Sequence, residues 1–101
     1  MTTIYGSITS GGGVSINSGQ IKSVSKLGTG KFQIDLAPGT FNSTPVVVAT
    51  VMVNDGDCNS DGSNRTISLN HVSATQICVA IRVSSEGNEM SDRPFNFIAM
   101  L

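Results

Sequence analysis

From Val46 to Val53 the chain reads Val-Val-Val-Ala-Thr-Val-Met-Val, preceded by Pro45 and closed by Asn54. As an extended strand this segment is apolar on both faces. Val46, Val48, Thr50 and Met52 point one way, and Val47, Ala49, Val51 and Val53 the other. A small antiparallel sheet buries one face and wets the other, so its strands normally alternate apolar and polar. The second apolar face needs a cover that a chain of 101 residues has little material to supply. A subunit interface is therefore the first expectation the sequence raises.

The rest of the chain reads as a single β-domain. Its length matches the commonest domain size. It is rich in Val, Ile, Thr, Ser and Gly, and no segment carries a helical period of useful length. Residues 1–19 are Gly, Ser and Thr-rich and read as an N-terminal arm or linker, with the β-domain over 20–101. Strands are expected over 20–26, 31–36, 44–54, 65–72, 76–84 and 93–101. In the first, Ile21 and Val24 break alternation and imply a bulge. Turns are expected at Gly28-Thr29-Gly30 and Pro38-Gly39. Six short strands separated by turns predict an antiparallel β-sandwich.

Three of these strands carry apolar or small residues on both faces. If they lie side by side, Val47, Ala49, Val51, Cys78, Ala80, Ile98 and Met100 are the interface candidates of an oligomer packed through one sheet.

Charge excludes some function classes. Six basic and seven acidic residues give a net charge of −1, and the basic ones are scattered, so no nucleic-acid-binding stripe is expected. No apolar run reaches the ~20 residues of a membrane-spanning helix. The N-terminus lacks the basic and apolar segments of a secretory signal. Cys58 and Cys78 read as free thiols. His71, the only histidine, closes a strand on the side of Ile67 and Leu69 and reads as structural. With no nucleophile elbow and no clustered metal ligands, no residue is assigned a catalytic role and the chain is not expected to be an enzyme.

Two polar loops carry the recognition chemistry. In the first, Asp57, Asn59 and Asp61 followed by Gly62 match the first half of a calcium loop. The bidentate glutamate of such loops is replaced by Ser68, and Arg65 adds a positive charge, so a solvated acidic turn is favoured over calcium and no other cofactor is expected. Arg65 with Asp55, Asp57 and Asn59, joined by Glu86 and Asn88 from the second loop, offers hydrogen-bonding groups of the kind that hold sugars. Tryptophan is absent, and Tyr5, the only tyrosine, falls outside the expected domain.

The order Ser18-Gly19-Gln20-Ile21, Gly28-Thr29-Gly30-Lys31-Phe32, Phe41-Asn42-Ser43-Thr44-Pro45-Val46, Asn64-Arg65, Val72-Ser73-Ala74-Thr75 and Phe95-Asn96-Phe97-Ile98-Ala99 resembles the H-type lectin domain. It also resembles the C-terminal head domains of bacteriophage tail fibres. The resemblance covers about residues 18–101 and implies a six-stranded sandwich, a trimer packed through one sheet, and a sugar site at subunit boundaries. It aligns Arg65 with the arginine of that site, whereas the loop 84–92 lacks the family's aromatic and histidine partners. The implied role is a virion protein, made in the host cytosol, that recognises a cell-surface glycan or receptor. The alternative is a purely structural fibre or virion part with no ligand.

Overall fold

A computed structural model describes residues 1–52, 58, 64–84, 87 and 89–101. The described chain is all-β. Its strands are β1 (Thr3–Ile8), β2 (Val14–Asn17), β3 (Ile21–Gly28), β4 (Lys31–Leu36), β5 (Val46–Val51), β6 (Arg65–Val72), β7 (Gln76–Val83), β8 (Glu89–Met90) and β9 (Phe95–Met100). The first sheet has the order β2-β1-β9-β5 and the second β3-β4-β7-β6, with β8 added beside β7. All pairings are antiparallel.

Both sheets contribute to one core. Ile4, Ile8, Phe95, Phe97 and Ala99 come from the first sheet, and Phe32, Ile34, Ile77, Val79 and Ile81 from the second. The rings of Phe32 and Phe95 meet across the gap with centroids 5.5 Å apart. Strict alternation produces this arrangement. In β4, Phe32, Ile34 and Leu36 are buried between exposed or half-buried Lys31, Gln33 and Asp35.

Nine strands replace the expected six, and the largest difference lies at the N-terminus. The segment 1–19, expected as an arm or linker, supplies β1 and β2 of the first sheet. Ile4 and Ile8 are fully buried in the core. Between them Gly6 faces inward, and Ile21 and Phe97 occupy the space its side chain would take. A Cβ there would lie 2.4 Å from the Ile21 Cδ1 and 2.8 Å from the Phe97 Cε1. Tyr5, expected outside the domain, lies on β1 opposite Ile98.

The expected bulge is present, with a register shift between Ile21 and Ser23. A further shift, between Leu69 and His71, moves His71 opposite Cys78. The histidine thus stands on the outer face of the second sheet and not beside Ile67 and Leu69, because the extra residue reverses which side the next one faces.

The three doubly apolar strands do not lie side by side. β5 and β9 are neighbours in the first sheet, and β7 belongs to the second. In β5, Val47, Ala49 and Val51 pack against the core, while Val46 and Val48 are 64% and 61% exposed. The register decides this parity. Val47 pairs with Ala99, Ala49 with Phe97 and Val51 with Phe95, all of which face inward.

Candidate functional site

Two surfaces remain once the core is assigned: the outer face of the first sheet and one end of the sheet pair. The outer side of the sheet carries Thr3, Tyr5 and the buried Ser7 from β1, Ile16 from β2, Val46, Val48 and Thr50 from β5, and Asn96, Ile98 and Met100 from β9. No strand of this sheet contains a charged residue. The second sheet carries Lys22, Lys26, Lys31, Asp35, Arg65, Arg82 and Glu89. The two outer faces therefore meet water with different chemistry.

The apolar face has a row structure. Val46 and Met100 are paired, as are Val48 with Ile98 and Ile98 with Tyr5. Ile98 is 47% exposed and Tyr5 50%. The next row is polar, where the Ser7 hydroxyl donates to the Asn96 Oδ1 at 2.5 Å. A shallow open depression of about 240 Å³ runs along this face between Val48, Thr50, Asn96 and Ile98.

Of the residues expected at an interface, Ile98 and Met100 lie on this face. Val47, Ala49 and Val51 face the core instead. Cys78 and Ala80 lie on the outer side of the second sheet, opposite Gln33, His71, Lys31 and Ser68, so their small size is absorbed by polar neighbours. Tyr5, Ile16, Val46 and Val48 are the apolar face residues that the sequence reading missed. The unbroken pattern of β5 signalled an exposed side without saying which parity it was.

The other surface is an end of the sheet pair. The turn after β1, the β3–β4 turn, the start of β6 and the segment after β7 converge there. Ile8 pairs with Phe95, at the start of β9, and a Cβ on Gly12 would lie within 4.0 Å of Lys26 and Phe32. Ser84 N–H donates to the Asn64 carbonyl at 2.7 Å. The two chain ends sit at the opposite end, where Thr2 and Leu101 exchange main-chain hydrogen bonds.

Arg65 opens β6 opposite Val83 and is half-buried. Its Nη1 donates to the Asn64 Oδ1 at 3.4 Å, and its Nε is buried with no hydrogen-bond partner among the described residues. The expected partners Asp55, Asp57, Asn59, Glu86 and Asn88, and the metal candidates Asp57, Asn59 and Asp61, lie outside the described residues. Among the described residues no group of three His, Cys, Asp or Glu side chains is placed to hold a metal. Nor is any helix there long and apolar enough to cross a membrane.

The segment after β7 is tied down by a buttress that sequence reading did not identify. Asp92 is ion-paired with Lys26 and accepts the Gly30 N–H at 2.6 Å. Burial pushes the Asp92 carboxyl up, but the Lys26 hydrogen bond, the Gly30 N–H and the Lys26 charge outweigh it and hold it below its ordinary value. Ser91 N–H donates to the Ile81 carbonyl at 3.0 Å, and the Gly30 carbonyl accepts from Ile81 N–H at 2.8 Å. Gly30 adopts a φ of 72°, which a side chain would disfavour. Its missing Cβ also matters, since that atom would lie 2.6 Å from the Ile81 carbonyl oxygen and 2.8 Å from Ser91 N.

Cys58 and Cys78 are both free thiols, as expected. Burial, with a smaller contribution from the Asp35 charge, pushes the Cys78 thiol up, so it is a poor nucleophile at neutral pH. Comparison with protein-family models, curated proteins and solved structures gives no match.

Proposed function

We propose that this chain is a self-assembling binding module whose copies pack through the outer face of the first sheet and present the loop end as a repeated recognition surface. The observation that carries the reading is the charge-free first sheet with Val46, Val48, Ile98 and Tyr5 exposed on it. Water-facing sheets carry charges, as the second one does, and a contiguous apolar face is ordinarily covered by a partner. At about 25 cal/mol per Å² of apolar area removed from water, such a face drives association.

The recognition half of the proposal rests on the loop end. Arg65 lies there at the start of β6, and the Asp92 buttress ties down the segment that precedes β9. We take the target to be a cell-surface glycan or receptor, bound weakly by each copy and strengthened by repetition. A trimer of the H-type lectin or phage fibre-head kind, carried on a virion, is the form this proposal takes. The module is a binder rather than an enzyme.

Light scattering tests the assembly. The native chain is expected to exceed 10.5 kDa by a whole-number multiple, and Ile98→Lys is expected to lower that multiple by breaking the packing through this face. A native monomer at all concentrations overturns the reading. Glycan-array binding of the assembled protein, with and without a chelator, tests recognition and calcium together. Silence in both conditions moves the proposal to the structural alternative, a fibre or virion part without ligand.

A further inference from the structure

Each sheet has two edges, and three of the four carry devices that block further strand pairing. β2 has only four residues. β3 carries Lys22 and Lys26 and has register shifts at Ile21/Ser23 and Lys26/Gly28. β6 carries Arg65 and His71 and the shift at Leu69/His71. Short length, charge and bulges are the usual protections of an exposed edge. β5 has none of them. Val46–Val51 contains no charge, no glycine and no proline, and pairs with β9 over six residues without a register shift.

The hydrogen-bond phase of β5 follows from its neighbours. Met52 N–H donates to the Pro94 carbonyl at 2.9 Å, continuing the register in which Thr50 meets Asn96 and Val48 meets Ile98. The even-numbered residues of β5 thus direct their main-chain groups to β9, because antiparallel pairing alternates. The bonds between Thr2 and Leu101 give the matching phase on the far side of β9, whose odd-numbered residues bond to β1. Val47, Ala49 and Val51 therefore turn their N–H and C=O groups toward the open edge. No hydrogen bond to these groups is made by any described residue.

We infer that β5 is a strand-pairing edge whose occupant is β5 of a second copy, arranged antiparallel about a two-fold axis at Ala49. An open edge of alternating donors and acceptors is a ready template for another extended chain. An uncharged strand raises no repulsion against its own copy, and a two-fold contact must be self-complementary. With Ala49 facing its counterpart, Val47 of one copy lies opposite Val51 of the other, and about six main-chain hydrogen bonds form. Val48 then meets Thr50 on the outer side, so pairing joins the two apolar faces into one surface. The inference shares with the proposed function only the need for a second copy. It uses main-chain groups at the edge, where the other uses side chains on the face.

Two variants and one control test it in the full chain. Ala49→Pro removes an outward N–H without removing a bond to β9, and an edge strand tolerates proline at such a position. Circular dichroism and thermal melting check that it folds, and sedimentation velocity is expected to show association weakened at least tenfold. The second variant combines Val48→Cys and Thr50→Cys with Cys58→Ser and Cys78→Ser. Opposed positions of this type have Cα atoms about 4.5 Å apart, within disulfide reach, and oxidation is expected to link the dimer covalently. Unchanged association in folded Ala49→Pro, no covalent dimer on oxidation, or a native monomer at about 1 mM would each overturn the inference. Ile98→Lys separates the two ideas. Assembly lost in that variant but kept in Ala49→Pro removes edge pairing and spares face packing, and the opposite result keeps edge pairing alone.

Discussion

Replacing Gly30 by alanine tests whether close packing, and not backbone conformation alone, holds the base of the second loop. Gly30 and Gly39 have similar left-handed backbones, with φ of 72° and 80°. An L side chain in that region costs about 1–2 kcal/mol at either site. At Gly39 nothing lies within 4 Å of a new Cβ, so that cost is the whole effect. At Gly30 the Cβ would sit 2.6 Å from the Ile81 carbonyl oxygen and 2.8 Å from Ser91 N. Both are main-chain atoms that cannot rotate away. Relief requires the Ser91 N–Ile81 O and Ile81 N–Gly30 O bonds to part, each contributing about 1 kcal/mol. Gly30→Ala should therefore cost about 3–4 kcal/mol and Gly39→Ala about 1–2. The lower entropy of an unfolded alanine acts equally on both and drops out of the comparison. At about 4–8 °C per kcal/mol, thermal midpoints should separate the two variants by roughly 10 °C. Urea unfolding at constant m gives the same comparison at room temperature. Equal losses would show that the contact with Ile81 and Ser91 contributes nothing and would refute the argument.

Asp92→Asn should flatten the acid side of the stability–pH curve. The folded carboxyl lies below its unfolded value, so its contribution is present above the ordinary aspartate range and lost as pH falls through the folded value, which acid titrations of both proteins compare. Phe95→Ala should cost about 3–5 kcal/mol in urea unfolding, because it empties the centre of the inter-sheet contact with Phe32. Alkylation at pH 8, followed by peptide mass mapping, should label exposed Cys58 well before Cys78, whose thiol is raised by burial.

The strands that alternate cleanly were legible, as β4 and β7 show: Phe32, Ile34 and Leu36, then Ile77, Val79, Ile81 and Val83, each mark the inward side. β1 was not legible because one of its inward positions is Gly6. Its space is filled by Ile21 and Phe97 from elsewhere in the chain, so the local pattern shows only two isoleucines separated by Tyr5, Gly6 and Ser7. β8 has two residues and is defined by main-chain pairing to Arg82 and Val83, which leaves no side-chain pattern to read. The parity of β5 was undetermined for a different reason. Its two sides are nearly equal in hydrophobicity, and the choice is made by register against Phe95, Phe97 and Ala99 at the far end of the sequence. The face on the first sheet was foreseen in kind, through Ile98 and Met100, but its other members depended on that register. At the loop end, Arg65 was visible as a charge beside polar turns. The Asp92–Lys26 buttress joins residues distant in sequence and leaves no local motif.

The position of β9 between β1 and β5 has a consequence for biosynthesis. Every pairing in the first sheet other than β1 with β2 runs through β9, which follows the other described strands in the chain. On a ribosome that sheet cannot close until residues 95–100 have emerged, whereas β3, β4, β6 and β7 pair earlier. Until then β5 stands with two open edges and two apolar sides, which makes the interval before β9 docks the period when nascent chains are most exposed to wrong pairing. The time spent as a vulnerable intermediate is set by how late β9 is translated.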